Sequence, residues 1–217
     1  MSDRRLGWLL LAPALALLGG LTVYPAIWVI WLSLQYRIPV FSISRWAGLA
    51  HYAFLAVDPR FWSAAGVTAE FTLASVAIEC GLGLGMALGL RGQRRGRRAA
   101  VALLLLAWAL PSVVTAKMFE WLYHPAGGLV NFLLGGRPVN WLGDPALALP
   151  SLIAADVWRT TPFVALLCYA RLLTIPAELY EAAEVDGAKF FRRLFQIEIP
   201  MMLPIINVAV LFGGPPP

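Results

Sequence analysis

Long apolar segments constrain the fold of this chain more than any other feature. Four of them are each long enough to cross a bilayer as an α-helix, which takes about 20 residues. They span residues 6–34, 64–90, 99–122 and 149–173. Hydrophobic side chains make up 60% of the sequence and charged ones 13%, against about 45–50% apolar residues in soluble domains. We therefore predict an all-α, polytopic membrane helix bundle.

A fifth apolar segment, residues 201–212, is too short to span the membrane. At about 1.5 Å per residue it covers about 18 Å, against about 30 Å of hydrocarbon. We predict about four full spans plus a partial fifth, and we expect the 217-residue form to need further spans for stability and transport. We divide the chain into residues 1–63, the N-terminal span with the first outer loop, and residues 64–217, a core domain that contains a polar loop at 174–200 and is incomplete at its C-terminus.

Arginine and lysine are unevenly distributed among the segments that join the spans. They concentrate before the first span, in the run Arg91–Arg98, and in the loop 174–200. Because cytoplasmic loops carry an excess of basic residues, we predict that these segments and the N-terminus are cytoplasmic. The run Arg91–Arg98 lies between two apolar spans, so topology accounts for it and nucleic-acid binding is not expected.

The loop 174–200 is rich in acidic residues at its start. Pro176 suits the first turn of a helix, and Gly187 permits a left-handed turn at its end. Ala182 and Ala183 are small enough for another surface to approach the backbone. Three glutamates follow Pro176 at a spacing of three, near the positive end of the helix dipole: Glu178, Glu181 and Glu184. We predict a short helix followed by a glycine turn.

A second, amphipathic helix is predicted from Ala188 to a stop at Pro200. Five apolar side chains share one arc of it, namely Phe190, Phe191, Leu194, Phe195 and Ile197, and basic and polar side chains share the opposite arc. Such a helix is suited to lying under the membrane or against the bases of the spans. The residues alone leave two interpretations of the whole loop open: an ordinary solvated connection, or a docking surface for a partner.

The loop resembles a known motif. The stretch EAAEVDGAKFFRRLFQIEIP is similar to the EAA loop of ABC-importer permeases, in which Glu-Ala-Ala is followed by three residues, Gly, nine residues, Ile, one residue and Leu-Pro. Ile199 replaces the leucine here. The stretches WLLLAPALALLGGLTVYPAIWVIWLSL, GLVNFLL and LLTIPAELYEAAEVDGA resemble the carbohydrate branch, on the side of the first permease subunit of the maltose and glycerol-3-phosphate systems.

This resemblance implies a type I ABC-importer permease fold and a function. The first helix of the loop would be the coupling helix that docks on an ATPase subunit, with Glu181, Ala182, Ala183 and Gly187 as the coupling residues. The implied partners are a second permease subunit, two ATPase subunits that hold ATP-Mg, an extracytoplasmic solute-binding protein and the lipid bilayer. The implied location is the plasma (inner) membrane of a prokaryote, and the implied solute is a sugar or related polyol.

The chain itself is not expected to be an enzyme or to bind a cofactor. It has no Gly-x-x-x-x-Gly-Lys-Ser/Thr motif, which ATPases of this kind use to bind phosphates. ATP hydrolysis is therefore expected on a separate subunit. His51 and His124 have no potential ligands beside them in the sequence, so no metal site is predicted.

Polar residues inside membrane spans are functional candidates by default. Glu79, Asp156 and Trp158 are the candidates for a substrate path. Glu79 shares a helix face with Gly83 and should point into the bundle, where a structural hydrogen-bonding role is the more common alternative. A tryptophan such as Trp158 could stack on a sugar ring but is more often a membrane anchor. Nearby glycines at a spacing of four predict a face for close helix packing: Gly81, Gly85 and Gly89.

Two rival functions stay open at this point. An ion- or proton-coupled secondary transporter could use Glu79 as its ion site, but it would need no ATPase partner and gives no reason for the glycine-turn loop. An ABC permease for a non-sugar solute would share every feature of the loop 174–200.

Overall fold

The computed structural model describes residues 3–93, 95–135 and 137–212. It contains eleven α-helices, one β-hairpin and short π and 3-10 turns within these ranges. The described residues form two compact units, one extending to Gly66 and the other beginning at Val67. The tail 213–217, which bears on the predicted partial fifth span, lies outside the described residues.

The first unit contains the first predicted span. Helix α1 (Asp3–Leu18) continues through a π-helical turn (Gly19–Val23) into α2 (Tyr24–Ser33), and together they give an apolar helix of 27 residues, Gly7–Ser33. Its side chains are exposed almost throughout. An exposed apolar surface of this length fits a segment that contacts lipid.

The first outer loop has more structure than the sequence predicted. Strands β1 (Gln35–Ile38) and β2 (Ile43–Trp46) pair antiparallel, with Gln35 opposite Trp46 and Ile38 opposite Ile43. A 3-10 turn (Pro39–Phe41) and Ser42, whose φ is 52°, join them. Helix α3 (Ala50–Val57) follows. Aromatic and β-branched residues favour strands, but the pattern is too short to stand out beside the spans.

The second predicted span is confirmed as α4 (Pro59–Gly92). It begins at a proline, and the Asp58 side chain accepts a hydrogen bond from the Arg60 amide at 2.9 Å, as an N-terminal capping residue does. One face of α4 is buried: Ser75, Glu79, Gly83, Ala87 and Leu90. Glu79 therefore points into the bundle, as predicted.

The predicted glycine packing face of α4 is not packed in the described structure. A Cβ atom added at Gly81, Gly85 or Gly89 would meet nothing within 4 Å. Gly83 lies on nearly the opposite face of α4 and is the residue in close contact, since a Cβ there would lie 2.6 Å from Cγ1 of Val164. The tight helix contact therefore forms on the face that also carries Glu79.

The third predicted span is not one continuous helix. Helix α5 (Arg97–Trp108) and helix α6 (Ser112–Leu122) are bent by 89° relative to each other. Pro111 lies at the break with ψ of 138°. Proline cannot donate the helical hydrogen bond and disfavours helical geometry in the residue before it. The third span, predicted as one apolar segment, is therefore broken at Pro111.

The fourth predicted span is confirmed as α8 (Pro145–Leu172), which runs through Pro150 and Pro162 without a break. Asp144 caps its start by accepting a hydrogen bond from the Ala146 amide at 2.9 Å. Helix α7 (Leu129–Leu134) precedes α8. The core of the second unit lies along α8 and contains Ala87, Val164, Cys168, Leu172, Ile175 and Met202.

The polar loop forms a helix, a glycine turn and a second helical segment, as predicted. Helix α9 (Ala177–Val185) ends at a turn in which Gly187 has φ of 66°. Helix α10 (Phe190–Arg193) passes into a π-helical turn (Leu194–Glu198) and then into α11 (Ile199–Phe212).

The predicted stop at Pro200 was wrong. Pro200 lies in the first turn of α11, directly after the π-helical turn. The π-helical turn changes the pattern of backbone hydrogen bonds just before Pro200, which has no amide proton to donate. Because amides in the first turn of a helix make few helical hydrogen bonds, a proline there removes fewer of them than it would in the middle of the helix.

Three described segments are long and apolar enough to cross a membrane: Gly7–Ser33, Pro59–Gly92 and Pro145–Leu172. The bent pair α5 and α6 raises the number to four if it counts as one span. By length and composition, this agrees with the predicted four spans, with the third of them broken.

Candidate functional site

Helix α9 presents a short exposed surface. At 100° per residue, Glu178, Ala182 and Val185 form its outward row, and Glu181 lies beside that row. These four residues are exposed, and Val185 reaches 89% exposure although its side chain is apolar. The exposed surface of α9 therefore combines carboxylates with one apolar side chain and is accessible to a partner.

The other two predicted coupling residues, Ala183 and Gly187, do not belong to the exposed row but shape the end of α9. Ala183 is only 8% exposed and packs inward. Its carbonyl accepts a hydrogen bond from the Ala188 amide at 2.8 Å across the Gly187 turn. This is the pattern of a Schellman-type helix end, which needs a left-handed residue. The structure thus places Glu181 and Ala182 on the surface, while Ala183 and Gly187 fix the shape of the turn.

A groove of about 300 Å³ lies between α9 and the segment that follows the turn. Small side chains from α9 form part of its wall, and basic side chains from α10 form another part. Its lining residues are Leu179, Ala182, Ala183, Asp186, Ala188, Arg192, Arg193, Gln196 and Ile197. The groove adjoins the exposed surface of α9 and extends the area that a partner could contact.

Arg91 at the end of α4 joins this loop to the bundle. Its Nη1 atom donates to Oε1 of Glu198 at 2.5 Å and to the Tyr180 hydroxyl at 2.9 Å. Its guanidinium carbon lies 4.1 Å from the centre of the Tyr180 ring. Burial and the nearby Glu198 carboxylate raise the pKa of Tyr180, and Arg91 opposes that shift. Sequence reasoning missed this cluster, because it used Arg91 only to orient the chain.

A second arginine holds the same segment. Arg171, at the end of α8, donates from Nε to the Met201 carbonyl at 3.0 Å and from Nη1 to the Thr174 hydroxyl at 3.0 Å. The last turns of α4 and α8 therefore both carry a basic residue that contacts the loop or the start of α11.

The polar residues predicted for a substrate path lie within the second unit. Glu79 is 1% exposed, and Ser75 and Thr161 are also buried. In the part of the chain that the structure describes, Ser75 Oγ, Glu79 Oε1, Thr161 Oγ1 and Asp156 Oδ2 have no hydrogen-bond partner. Buried polar atoms usually have a hydrogen-bond partner. These four oxygen atoms are therefore exceptions, because they lie inside an apolar bundle without one.

Asp156 and Trp158 line different pockets. Asp156 and Arg159 line a pocket of about 570 Å³, together with Phe119, Glu120 and Tyr123. We call this the polar pocket. Trp158 lines a pocket of about 720 Å³ whose other lining residues are almost all apolar. The structure therefore does not bring these two candidates into one site. Phe119 was missed in the sequence, where it is one apolar residue among many in 99–122.

The comparisons with known proteins identify the family. Residues 81–212 match the model of the binding-protein-dependent transport system inner membrane component. The chain belongs to this family. The permease is 37% identical over 212 residues to the trehalose/maltose transport system permease protein MalF of Thermococcus litoralis, covering 96% of this chain and 72% of that protein. It is 36% identical over 220 residues to the sulfoquinovosyl glycerol transport system permease protein SmoG of Agrobacterium fabrum, covering 98% of this chain and 70% of that protein.

A solved structure confirms the fold. The permease superposes on a chain from the crystal structure of a bacterial ABC transporter involved in the import of the acidic polysaccharide alginate, with a TM-score of 0.76. The two chains are 24% identical, and the match covers 97% of this chain and 72% of the other. The predicted type I importer permease fold is therefore confirmed.

The family also argues against one of the two rival functions, the secondary transporter. The chain is a membrane-embedded permease subunit of an ABC importer, an inner-membrane component, and not itself an enzyme. The interpretation as an ion-coupled secondary transporter is not supported, since this family belongs to binding-protein-dependent systems. Among the described residues, no group of three or more His, Cys, Asp and Glu could hold a metal ion.

Proposed function

We propose that this permease translocates a sugar or related polyol that a solute-binding protein delivers. The observation that carries the proposal is the 37% identity, along nearly the whole chain, to a trehalose/maltose permease. A second relative at 36% identity is named for sulfoquinovosyl glycerol, which also contains a sugar. The shared feature of these solutes is a ring rich in hydroxyl groups, and the substrate class is proposed at that level.

The polar pocket is the proposed contact site for the solute. Ligand sites combine apolar and aromatic walls with a few polar groups that set orientation, and Phe119, Tyr123, Asp156 and Arg159 provide both kinds of group there. The unpaired Oδ2 of Asp156 can accept a hydrogen bond from a solute hydroxyl. Glu79 lies deeper in the bundle and is proposed as a further polar group along the same path.

Energy for transport is proposed to enter through α9. The exposed row of α9, with Glu181 beside it, would dock on an ATPase subunit, and Ala183 and Gly187 would hold the helix in shape for docking. We propose an assembly with a second permease subunit, two ATPase subunits that bind ATP-Mg, and an extracytoplasmic solute-binding protein. The N-terminus and the loop 174–200 would be cytoplasmic, because basic residues gather in these segments.

Solute uptake tests the substrate class. The permease is expressed with its cognate partner subunits and binding protein, and uptake of labelled disaccharides, polyols and amino acids is compared. We expect uptake of a disaccharide or polyol, and we expect Asp156→Asn to reduce it by about tenfold, because each charged hydrogen bond is worth about 1.5–3 kcal/mol. Glu70→Gln, which alters an exposed carboxylate on α4, is the matched control and should transport normally.

Two outcomes would contradict the proposal. Uptake of amino acids with no uptake of sugars or polyols would make this a permease for a non-sugar solute. Normal sugar uptake by Asp156→Asn would remove the polar pocket from the path while leaving the substrate class in place.

A further inference from the structure

Three elements that are far apart in the sequence meet at Arg91. This residue ends α4, Tyr180 belongs to α9, and Glu198 ends the π-helical turn before α11. The Arg91 side chain contacts both others at once, through hydrogen bonds of 2.9 Å and 2.5 Å and by covering the Tyr180 ring. A single guanidinium group thus connects a membrane-spanning helix to both arms of the loop 174–200.

One member of this cluster, Glu198, is buried, while the Arg91 side chain is 35% exposed. Glu198 is 5% exposed and its Oε2 atom has no partner among the described residues, so the contact with Arg91 is its main compensation for burial. Removing Arg91 would leave the buried Glu198 carboxylate without this compensation, which costs more than the loss of a fully exposed pair. The planar guanidinium can also stack on a ring while it donates to a carboxylate, which a lysine cannot match.

The position of the cluster connects the exposed surface of α9 with the spans. Tyr180 lies on the inward side of α9, opposite the row that contains Ala182 and Val185. On either side, Pro176 and the Gly187 turn mark the ends of the helix. A displacement of the outward row of α9 would therefore move Tyr180 against Arg91. The hydrogen bond between Arg91 and Glu198 would carry the movement on to α11.

We propose that Arg91, Tyr180 and Glu198 form a positioning clamp that transmits displacement of α9 to α4 and α11. The proposal rests on the docking of α9 to an ATPase, which is part of the proposed function. The clamp residues do not contact solute or nucleotide. They set the geometry in which movement of the docked helix becomes movement of the membrane helices.

Coupling measurements on the complete transporter test the clamp. Arg91→Ala and Glu198→Gln are compared with Arg95→Ala, an exposed arginine of the same basic run. We expect the first two variants to keep co-purification with the ATPase and basal ATP hydrolysis when both are measured per amount of assembled transporter in the membrane. Solute-stimulated hydrolysis and uptake should fall by about tenfold, within the usual range of coupling free energies. Arg95→Ala should behave like the wild type.

A charge exchange separates transmission from simple stability. The double variant with Arg91→Glu and Glu198→Arg retains an opposite-charge pair, so it should recover part of the stimulated hydrolysis that each single exchange loses. Tyr180→Phe keeps the ring over the guanidinium but removes the hydroxyl, and it should give an intermediate loss. Normal coupling in Arg91→Ala would overturn the proposal, as would a loss of coupling that simply follows a loss of membrane abundance.

Failure of the clamp is distinguishable from failure of docking. If α9 does not dock on the ATPase, Glu181→Lys will leave ATPase co-purification unchanged. If α9 docks and the clamp does not transmit, Glu181→Lys will lower co-purification while Arg91→Ala leaves stimulated hydrolysis intact.

Discussion

Gly83 and Gly85 lie two residues apart on α4 and have opposite surroundings. A Cβ at Gly83 would lie 2.6 Å from Val164 Cγ1 and 3.1 Å from the Ala165 backbone nitrogen. A Cβ at Gly85 would meet nothing within 4 Å in the described structure. The spacing of glycines in the sequence revealed that α4 could pack closely, but not which of its faces does so.

These two glycines give a matched pair of variants. Gly83→Ala should destabilise the protein by about 1–3 kcal/mol, because overpacking forces α4 and α8 apart. Gly85→Ala should be neutral or stabilising by up to about 1 kcal/mol, since alanine favours a helix over glycine. Thermal unfolding of the purified protein in detergent measures both. Equal destabilisation by the two substitutions would contradict the described α4–α8 contact.

At the scale of elements, prolines show where sequence reasoning succeeds and fails. Pro162 stays within α8, Pro111 separates α5 from α6, and Pro200 lies in the first turn of α11. All three lie within or beside apolar segments, so hydropathy finds the helices but not their breaks. Whether a helix continues past a proline depends on the neighbouring packing and hydrogen-bond register, which only the folded chain defines.

The site was also only partly predictable. The Glu-Ala-Ala and glycine residues of the loop are local in sequence, and their spacing alone predicts a helix and a turn. Arg91 and Glu198 are 107 residues apart, and the local pattern around either residue does not indicate that the two meet. In the same way, Phe119 of α6 and Asp156 of α8 line one pocket although they lie on different helices.

The orientation of the elements can be tested by cysteine labelling. Cys80 and Cys168 are replaced by alanine, and single cysteines are placed at Val40, Phe132 and Arg95, which are all exposed. In intact cells, an impermeant thiol reagent should label the first two positions, because they lie in the predicted outer loops. Arg95→Cys should react only after the membrane is permeabilised, since basic segments stay cytoplasmic. The reverse pattern would contradict the proposed orientation.

At the scale of the whole molecule, we propose that the second unit combines two functions that need different surfaces. Its interior holds unpaired polar atoms and the polar pocket, which is the proposed contact site for a hydrophilic solute. The loop 174–200 presents the exposed row of α9. Hydrogen bonds from Arg91 and Arg171 connect this loop and the start of α11 to the spans α4 and α8. A permease of an ABC importer must connect such a solute path to an ATPase that lies outside the membrane. The account therefore depends on α9 being the site where that ATPase acts.

The most direct test measures ATPase binding and solute-stimulated ATP hydrolysis in the reconstituted transporter carrying Glu181→Lys or Gly187→Pro. The first reverses a charge on the exposed surface of α9, and the second replaces a residue at φ of 66° with one restricted to about −65°. Arg45→Glu, a charge reversal on the exposed strand β2, is the control. We predict normal membrane insertion in all three, with binding and stimulated hydrolysis reduced by about tenfold or more only in the two loop variants. Wild-type binding and hydrolysis in both loop variants would contradict the assignment of α9 as the coupling helix.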